Sequence, residues 1–314
     1  MKHDMLLRGT DLRVSPIALG TAKAGIAWSG READALLDAY LDMGGNVIDT
    51  ARIYMPPTPG CGEEVIGHWL RHSGRRQDVV LMTKGGHPPI EAMHTNRMSQ
   101  REMTEDLNAS LQALGTDYVD VYFYHRDDPS QPAGELVERM EDFRREGKIR
   151  WYACSNWTTE RMREADDYAR AHGLRGFVAN QCCYNVGTRH MRSLADDTLV
   201  AADEAMRVYH QAADNTMMPY CGLCEGFFHH LASQGPEAVR GRQYYSEGNL
   251  RVAEGLEALC EKYHATLTQA ELGFLLTRPF PVVALAGVSR LEQLPDIMGA
   301  AEIPFRPEDF EELS

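Results

Sequence analysis

The sequence lacks any apolar run long enough to cross a membrane, which takes about 18 residues or more. It also lacks an excess of basic residues, because 46 Asp and Glu side chains outnumber 32 Lys and Arg and leave a net charge of −14. Such a surface repels nucleic-acid phosphates, which bind basic proteins by counterion release. We therefore expect neither a membrane nor a nucleic acid as a partner.

The sequence predicts no export signal either. The opening residues, MKHDMLLRGTDLRVS, contain no apolar stretch of signal-peptide length. The seven cysteines are an odd number in a long chain, and this fits reduced thiols better than a disulfide framework. Together these features predict a cytoplasmic protein.

The chain does contain β-rich runs that alternate with segments of apolar residues at helical spacing. The eight predicted strands are 16–21, 46–50, 79–83, 118–124, 149–155, 177–181, 216–220 and 281–286. The predicted helical segments are 31–44, 61–73, 99–115, 134–148, 158–173, 199–212, 268–278 and 290–301.

Eight β-then-α units in 314 residues predict an α/β fold, a closed (β/α)₈ TIM barrel that forms a single domain over residues 1–314. The alternative is a doubly wound sheet, but no G-x-G-x-x-G motif follows the first predicted strand. The alternation of polar and apolar residues before that strand predicts a short N-terminal hairpin that closes the barrel floor. Residues 221–248, after the seventh strand, predict a long loop between regular elements, of a kind that is often functional.

Polar side chains follow most of the predicted strands, where the loops of a barrel converge on one mouth. They are Asp49 and Tyr54, Lys84, His125, Ser155 and Asn156, Gln181, and Tyr220. Each alone has an ordinary structural explanation, such as a helix cap or a solvated loop charge. A carboxylate, a phenol, an ammonium, an imidazole and amides on one rim have the composition of an active site.

This set predicts a proton donor for a carbonyl oxygen. A tyrosine has an ordinary pKa of about 10, and the Lys84 ammonium near Tyr54 would lower it. Asp49 would keep Lys84 charged, and His125 could hydrogen-bond the carbonyl oxygen. No Ser-His-Asp set or metal-ligand spacing offers a nucleophile, so a hydride from a nicotinamide would fit.

The same rim could hold that nicotinamide. Ser155, Asn156 and Gln181 have the donors and acceptors to bind a carboxamide, and Tyr220 could stack on a flat ring. The helix that starts after Gly287 could bind a phosphate.

The chain resembles the aldo-keto reductases over nearly its whole length, from VSPIALGTAKAG to VSRLEQLPD. The most specific motifs are NVIDTARIY, LMTK, VYFYHRDDP, EGKIRWYACSNW, NQCCYN and PYCGL. The resemblance implies a (β/α)₈ barrel that binds NAD(P)H in an extended pose without a Rossmann motif and works without metal. It also implies a catalytic tetrad of Asp49, Tyr54, Lys84 and His125, in which Tyr54 is the general acid in reduction and the general base in oxidation.

The predicted cofactor-binding residues are Gly20, Thr21, Asp49, Ser155, Asn156, Gln181, Tyr220, Cys221, Leu223, Gly287, Ser289, Arg290 and Gln293. Arg290 beside Ser289 is placed to meet a 2′-phosphate, which favours NADPH over NADH. The predicted substrate pocket comprises Trp28, Tyr54, His125 and Trp157, and a small carbonyl compound is the expected partner. The chain departs from the family where a Ser-Pro pair is replaced by Cys221-Gly222 and where Asp296 and Ile297 stand in place of the Glu and Asn of a Q-x-x-E-N pattern.

Three alternatives remain open from the sequence. Cys221 and Cys224 have C-x-x-C spacing and are followed by His229 and His230, which would suit a zinc or redox site. Lys84 could form a Schiff base in a barrel aldolase. The chain could also be a cofactor-binding, redox-sensing or regulatory subunit with little turnover. The physiological substrate and the oligomeric state are not predicted.

Overall fold

The computed structural model describes residues 5–54, 58–194 and 196–313. A hairpin comes first, in which β1 (Met5–Leu6) pairs antiparallel with β2 (Arg13–Val14). The main sheet comprises β3 (Ile17–Gly20), β4 (Val47–Asp49), β5 (Val80–Gly85), β6 (Val119–Tyr124), β7 (Ile149–Ser155), β8 (Ala179–Gln181), β9 (Thr216–Met217) and β10 (Ala284–Gly287). These eight strands overlap the eight predicted runs and pair in parallel, which confirms the predicted fold class.

The sheet closes on itself. Its strand order begins with β10 and β3 and continues in sequence to β9. β9 then meets the chain just before β10 through a parallel bridge between Met217 and Val282. Three backbone bonds join the same edges, from Met217 N to Pro281 O (3.0 Å), from Val283 N to Met217 O (3.0 Å) and from Leu285 N to Pro219 O (3.1 Å). This closure is what the predicted barrel requires.

Helices surround the barrel. They are α1 (Gly30–Asp42), α2 (Cys61–Ser73), α3 (Gln100–Leu114), α4 (Ala133–Arg145), α5 (Thr159–Ala171), α6 (Glu204–Ala212), α7 (Phe227–Gln234), α8 (Glu247–Tyr263), α9 (Leu267–Leu276) and α10 (Leu294–Gly299). None of the described helices is long and apolar enough to span a lipid bilayer.

Local side-chain chemistry sets the helix boundaries. α3 begins at a capping box, in which Glu102 N donates to Ser99 Oγ (3.3 Å) and Ser99 N donates to Glu102 Oε2 (3.1 Å). It ends at Gly115, whose φ of 66° is the left-handed conformation that glycine adopts without a steric penalty. Such signals explain why this helix lies within one residue of its predicted segment.

Two apolar layers stabilise the barrel because successive strand residues point to opposite faces of the sheet. Val121 and Phe123 of β6 pack in the barrel interior, whereas Tyr122 packs outward among the helices. Leu7 and Leu12 of the hairpin belong to the interior layer. The hairpin therefore closes the barrel floor, as predicted.

The expectation for residues 221–248 needs correction, because α7 lies inside this stretch and α8 begins within it. α8 has 17 residues and no predicted segment covers it. Its signals are present: Ser246 Oγ accepts a bond from Asn249 N (3.1 Å), and Val252 and Leu256 are buried one turn apart. α8 follows a stretch that contains Gly226, Gly235, Pro236 and Gly241, and such a stretch is typical of a loop.

Candidate active site

The carboxyl ends of the barrel strands surround a cavity of about 310 Å³. Eleven of the predicted site residues line it: Gly20, Asp49, Tyr54, Lys84, His125, Ser155, Asn156, Gln181, Tyr220, Cys221 and Gly287. Strand register explains the convergence, since Gly20 pairs with Gly287 on one side and with Asp49 on the other. Residues far apart in the sequence therefore meet at one rim.

Asp49 is the centre of a hydrogen-bond cluster. Lys84 Nζ donates to Asp49 Oδ1 (2.8 Å) and Oδ2 (2.7 Å), and Gln181 Nε2 donates to Oδ1 (2.7 Å). The Tyr54 hydroxyl donates to Asp49 Oδ2 (2.7 Å) and lies 2.5 Å from Lys84 Nζ. Because the Asp49 and Lys84 side chains are each 1% exposed, these extra bonds compensate for burying both charges.

The hydrogens of the Lys84 ammonium are all directed at oxygen atoms. Besides Asp49 and Tyr54, Nζ donates to the Thr50 carbonyl oxygen (2.8 Å). Burial lowers the pKa of Lys84, and the Asp49 carboxylate opposes that shift. An amine must have a free lone pair to attack a carbonyl, so this arrangement disfavours the Schiff-base alternative.

The expected effect on Tyr54 has the opposite sign in the structure. Burial raises the pKa of Tyr54 well above 10, and the adjacent Asp49 carboxylate raises it further. The Lys84 ammonium alone would lower this pKa, but desolvation of the phenol and its direct bond to Asp49 outweigh that effect. Tyr54 is therefore protonated throughout the neutral range and can only donate its proton there.

His125 is buried beside this cluster, with 8% of its surface exposed. Burial lowers its pKa well below 6.5, and the nearby His87 and Arg126 act in the same direction. The ring is neutral at pH 7 and meets the Tyr54 ring edge-on, with centroids 5.9 Å apart. Its Nδ1 atom has no hydrogen-bond partner among the described residues. A neutral imidazole in this position can hydrogen-bond a carbonyl oxygen without adding charge.

Asn156 forms hydrogen bonds with several of the polar groups around the cavity. Its Nδ2 donates to Ser155 Oγ (3.1 Å) and to the His125 carbonyl oxygen (3.2 Å). Its Oδ1 accepts bonds from the Tyr220 hydroxyl (2.6 Å) and from Val200 N (3.1 Å). Asn156 has a φ of 60°, a left-handed conformation that Asn tolerates better than most residues. Asn156 therefore joins its own loop to the backbone at His125 and Val200 and to the side chain of Tyr220.

Residues 16–314 match the sequence profile of the aldo/keto reductase family. The chain belongs to this family. It is 26% identical to an aryl-alcohol dehydrogenase [NADP(+)] of Phanerodontia chrysosporium, over 100% of this chain and 85% of that protein. It is 27% identical to a probable voltage-gated potassium channel subunit beta of Arabidopsis thaliana, over 93% of this chain and 89% of that protein.

A solved structure of a thermostable aldo-keto reductase, crystallised with the inhibitor epalrestat, has the same fold. Its TM-score to this chain is 0.73 at 24% identity, and the match covers 98% of this chain and 97% of that one. Family membership thus agrees with the eight-stranded parallel barrel and with the resemblance found in the motifs.

Five predicted cofactor residues of this family member lie outside the cavity lining: Thr21, Leu223, Ser289, Arg290 and Gln293. The Thr21 hydroxyl donates to the Asp49 carbonyl oxygen (3.0 Å) and is fully buried. Gln293 Oε1 accepts bonds from Ser289 N (2.8 Å) and Arg290 N (3.3 Å). The Gln293 side chain thus occupies the backbone N–H groups of Ser289 and Arg290, just before α10. The Arg290 side chain is exposed.

The two predicted pocket tryptophans also lie outside the cavity lining. Trp28 is 2% exposed and its Nε1 donates to the Val288 carbonyl oxygen (3.0 Å). Trp157 is fully buried and its Nε1 donates to the Arg126 carbonyl oxygen (3.2 Å). Both indoles belong to the apolar layer that surrounds the barrel.

Cys221 and Cys224 do not form a disulfide, and all seven cysteines are free. His229 Nδ1 lies 3.2 Å from the buried carboxylate of Glu271, and this contact raises the pKa of His229. Within the described residues, no three His, Cys, Asp or Glu side chains come together as a metal site would require. The described residues therefore provide no further ligands that would complete a metal site with Cys221 and Cys224.

Sequence reasoning missed four lining residues: Ala22, Arg126, Leu199 and Leu285. Arg126 directly follows His125, so its position next to a strand end was a usable signal. Leu199 follows no strand and reaches the cavity because the loop after β8 folds back, with Val200 N bonded to Asn156. No local pattern in the sequence reports that contact.

Proposed function

We propose that this chain reduces an aldehyde or ketone to an alcohol with NADPH as the hydride donor. One observation carries the proposal: the Tyr54 hydroxyl borders the cavity in contact with both Asp49 and Lys84. A phenol held this way is a proton donor next to a space for a small molecule. The relative that is named an aryl-alcohol dehydrogenase [NADP(+)] supports the same reaction class and cofactor.

The residues at the cavity fit a nicotinamide. Gly20 and Gly287 put bare backbone on one wall, where a Cβ on Gly287 would meet the Gly20 carbonyl oxygen at 3.3 Å. Ser155, Asn156 and Gln181 supply hydroxyl and amide groups on the opposite side, which suit a carboxamide. When bound, the nicotinamide supplies a hydride for the carbonyl carbon.

The protein's own side chains handle the proton in this proposal. Tyr54 protonates the carbonyl oxygen, and Lys84 stabilises the negative charge that develops on the phenolate oxygen. Asp49 holds Lys84 in place through its two short bonds. His125, which is neutral, orients the carbonyl oxygen towards Tyr54.

Arg290 supports NADPH rather than NADH, because an exposed guanidinium near the end of β10 can pair with a 2′-phosphate. We further propose a cytoplasmic location, since the seven free thiols fit a reducing compartment.

The test is to mix the purified protein with NADPH and with small aldehydes. We expect a change in nicotinamide fluorescence on binding and oxidation of NADPH when aldehyde is added. If neither nicotinamide binds at millimolar concentration, the proposal fails.

A second candidate is a cofactor-binding regulatory subunit with little turnover. It is favoured by the relative named a probable voltage-gated potassium channel subunit beta, which matches 93% of this chain. The same experiment separates the two: binding of NADPH with no turnover on a broad panel of carbonyl compounds would favour the regulatory role.

A further inference from the structure

Arg126 occupies a place in the cavity that the proposed reaction leaves unexplained. It follows His125, lines the cavity together with Tyr54 and Tyr220, and is 8% exposed. It also lines a neighbouring cavity of about 330 Å³, whose other walls include Thr198 and two acidic residues, Asp127 and Asp197. Arg126 therefore lies between the cavity that contains Tyr54 and the neighbouring cavity, which could hold the rest of a substrate.

Arg126 provides the net charge of the cavity lining. Asp49 and Lys84 pair with each other, and His125 and Tyr54 are both neutral at pH 7 because burial shifts the pKa of each group away from neutrality. Among the described residues that line the cavity, the remaining charged one is Arg126, whose ion-pair partner Asp196 lies outside the lining. A net positive cavity contrasts with a chain whose overall net charge is −14.

The acidic side chains that follow Arg126 in the sequence do not cancel this charge inside the cavity. Both carboxylate oxygens of Asp127 accept bonds from Arg161 of α5, at 2.9 and 3.2 Å. Asp128 accepts bonds from Ser130, Gln131 and Asn96. Neither residue lines the cavity that contains Tyr54.

The contacts of Arg126 leave room for a ligand. Its Nε donates to Thr198 Oγ1 (3.0 Å), one Nη donates to the His125 carbonyl oxygen (2.9 Å), and the other lies 3.4 Å from Asp196 Oδ2. Charge-assisted bonds normally measure about 2.7–2.9 Å, so the Asp196 contact is loose. A guanidinium has five N–H groups, and the contacts with the described residues use three.

We propose that Arg126 binds an anionic group of the substrate, so that this chain selects carbonyl compounds that carry a carboxylate. The carbonyl group lies at Tyr54 while the carboxylate pairs with the guanidinium, replacing or sharing the loose contact with Asp196. Arg is suited to this because its planar fork matches the two oxygens of a carboxylate. The proposal rests on the reductase activity proposed above and adds the substrate class.

A purely structural role for Arg126 makes a different prediction. Arg126 also fastens the loop that contains Asp196, Thr198 and Leu199, and Leu199 lines the cavity. If that were its whole role, replacing Arg126 would affect charged and neutral substrates to the same extent. The test must therefore compare substrates that differ only in charge.

A suitable pair is 4-formylbenzoate and its methyl ester, which have the same aldehyde and nearly the same shape. For the wild-type protein we expect kcat/KM to be about tenfold or more higher for the acid than for the ester, as a charge-assisted pair in a partly buried site implies. Arg126→Gln should reduce kcat/KM for the acid at least about tenfold more than for the ester, mainly through KM.

Asp196→Asn is the matched variant, because it removes the competing carboxylate and keeps the size of the side chain. It should raise kcat/KM for 4-formylbenzoate and not for the ester, since the guanidinium is then freer to pair with the substrate. If Arg126 only clamps the loop, Asp196→Asn should instead lower both values.

The affinity for NADPH is measured on the same proteins. If Arg126→Gln weakens NADPH binding and leaves the acid-to-ester ratio unchanged, the anion belongs to the cofactor and the inference is wrong. Equal wild-type activity on acid and ester overturns it without any variant. If neither 4-formylbenzoate nor its methyl ester is reduced, the reductase proposal itself fails.

Discussion

The Lys84 ammonium lies 2.7 Å from Asp49 Oδ2 in a pair whose two side chains are each 1% exposed. Removing one member of a buried pair leaves the other charge without compensation, which costs about 3–5 kcal/mol. We therefore expect Asp49→Asn to lower the free energy of unfolding by that amount, as measured by urea denaturation.

The control for this variant is Arg101→Gln. Arg101 pairs with Glu105 on the surface of α3 at 86% and 56% side-chain exposure, and such pairs contribute about 0.5 kcal/mol or less. If Asp49→Asn were as stable as this control, Lys84 would not be charged in the folded protein.

Tyr54→Phe removes only the hydroxyl that lies between Asp49 and Lys84. We expect NADPH to bind with nearly unchanged affinity and kcat to fall by about 10²-fold or more, because general acid catalysis contributes about that much. Fluorescence titration and steady-state kinetics measure the two quantities. A variant that reduces carbonyl compounds at the wild-type rate would mean that another group supplies the proton.

The raised pKa of Tyr54 predicts a simple pH profile. An acid acts while it is protonated, so a pKa shifted above 10 keeps Tyr54 active as pH rises. The rate of carbonyl reduction should therefore stay flat from about pH 7 to about pH 10. A fall in rate with an apparent pKa below about 9 would indicate that Tyr54 or the Lys84 ammonium loses its proton in this range.

Arg290→Met tests the preference for NADPH. Loss of a charge-assisted pair with the 2′-phosphate should weaken NADPH binding by about tenfold or more and leave NADH binding nearly unchanged. Dissociation constants for both nucleotides, measured with Arg101→Gln as the control, decide the point. Equal weakening of NADPH and NADH binding would mean that Arg290 does not contact the 2′-phosphate.

His210 on α6 predicts a loss of stability in acid. Burial lowers its pKa from 6.5 to about 4, so below pH 6.5 the unfolded chain binds a proton that the folded chain does not. Stability therefore falls as pH decreases through this window, by about 2 kcal/mol at pH 5. His210→Phe should lose about that much less stability between pH 7.5 and pH 5 than the wild type.

Urea denaturation at the two pH values measures this difference. His68→Gln, which changes an exposed histidine of α2, serves as the control and should follow the wild type. A His210→Phe profile that runs parallel to the wild type would show that His210 does not titrate in this range.

The barrel could be predicted because its signals are local. Buried runs such as 118–124 read as strands from their composition, and strand register then brings Asp49, Lys84 and Gln181 together without further information. The positions of residues at strand ends follow from the fold alone.

Loop-dependent features could not be predicted in this way. Leu199 reaches the cavity through a tertiary bond between Val200 and Asn156, and α8 follows a stretch of Gly and Pro residues that is typical of a loop. The pKa shift of Tyr54 depends on burial and on the 2.7 Å bond to Asp49, and neither is visible in the spacing of the residues.

The strands of the barrel differ in length, so the two sides of the cavity differ in how many backbone hydrogen bonds support them. β5, β6 and β7 have six, six and seven residues and form a continuous hydrogen-bond ladder beneath Lys84 and His125. β9 has two residues and meets the β10 side through an isolated bridge, below Tyr220 and Gly287. Fewer backbone bonds hold the barrel together at this seam than among β5, β6 and β7, so we expect local opening of the barrel to begin here.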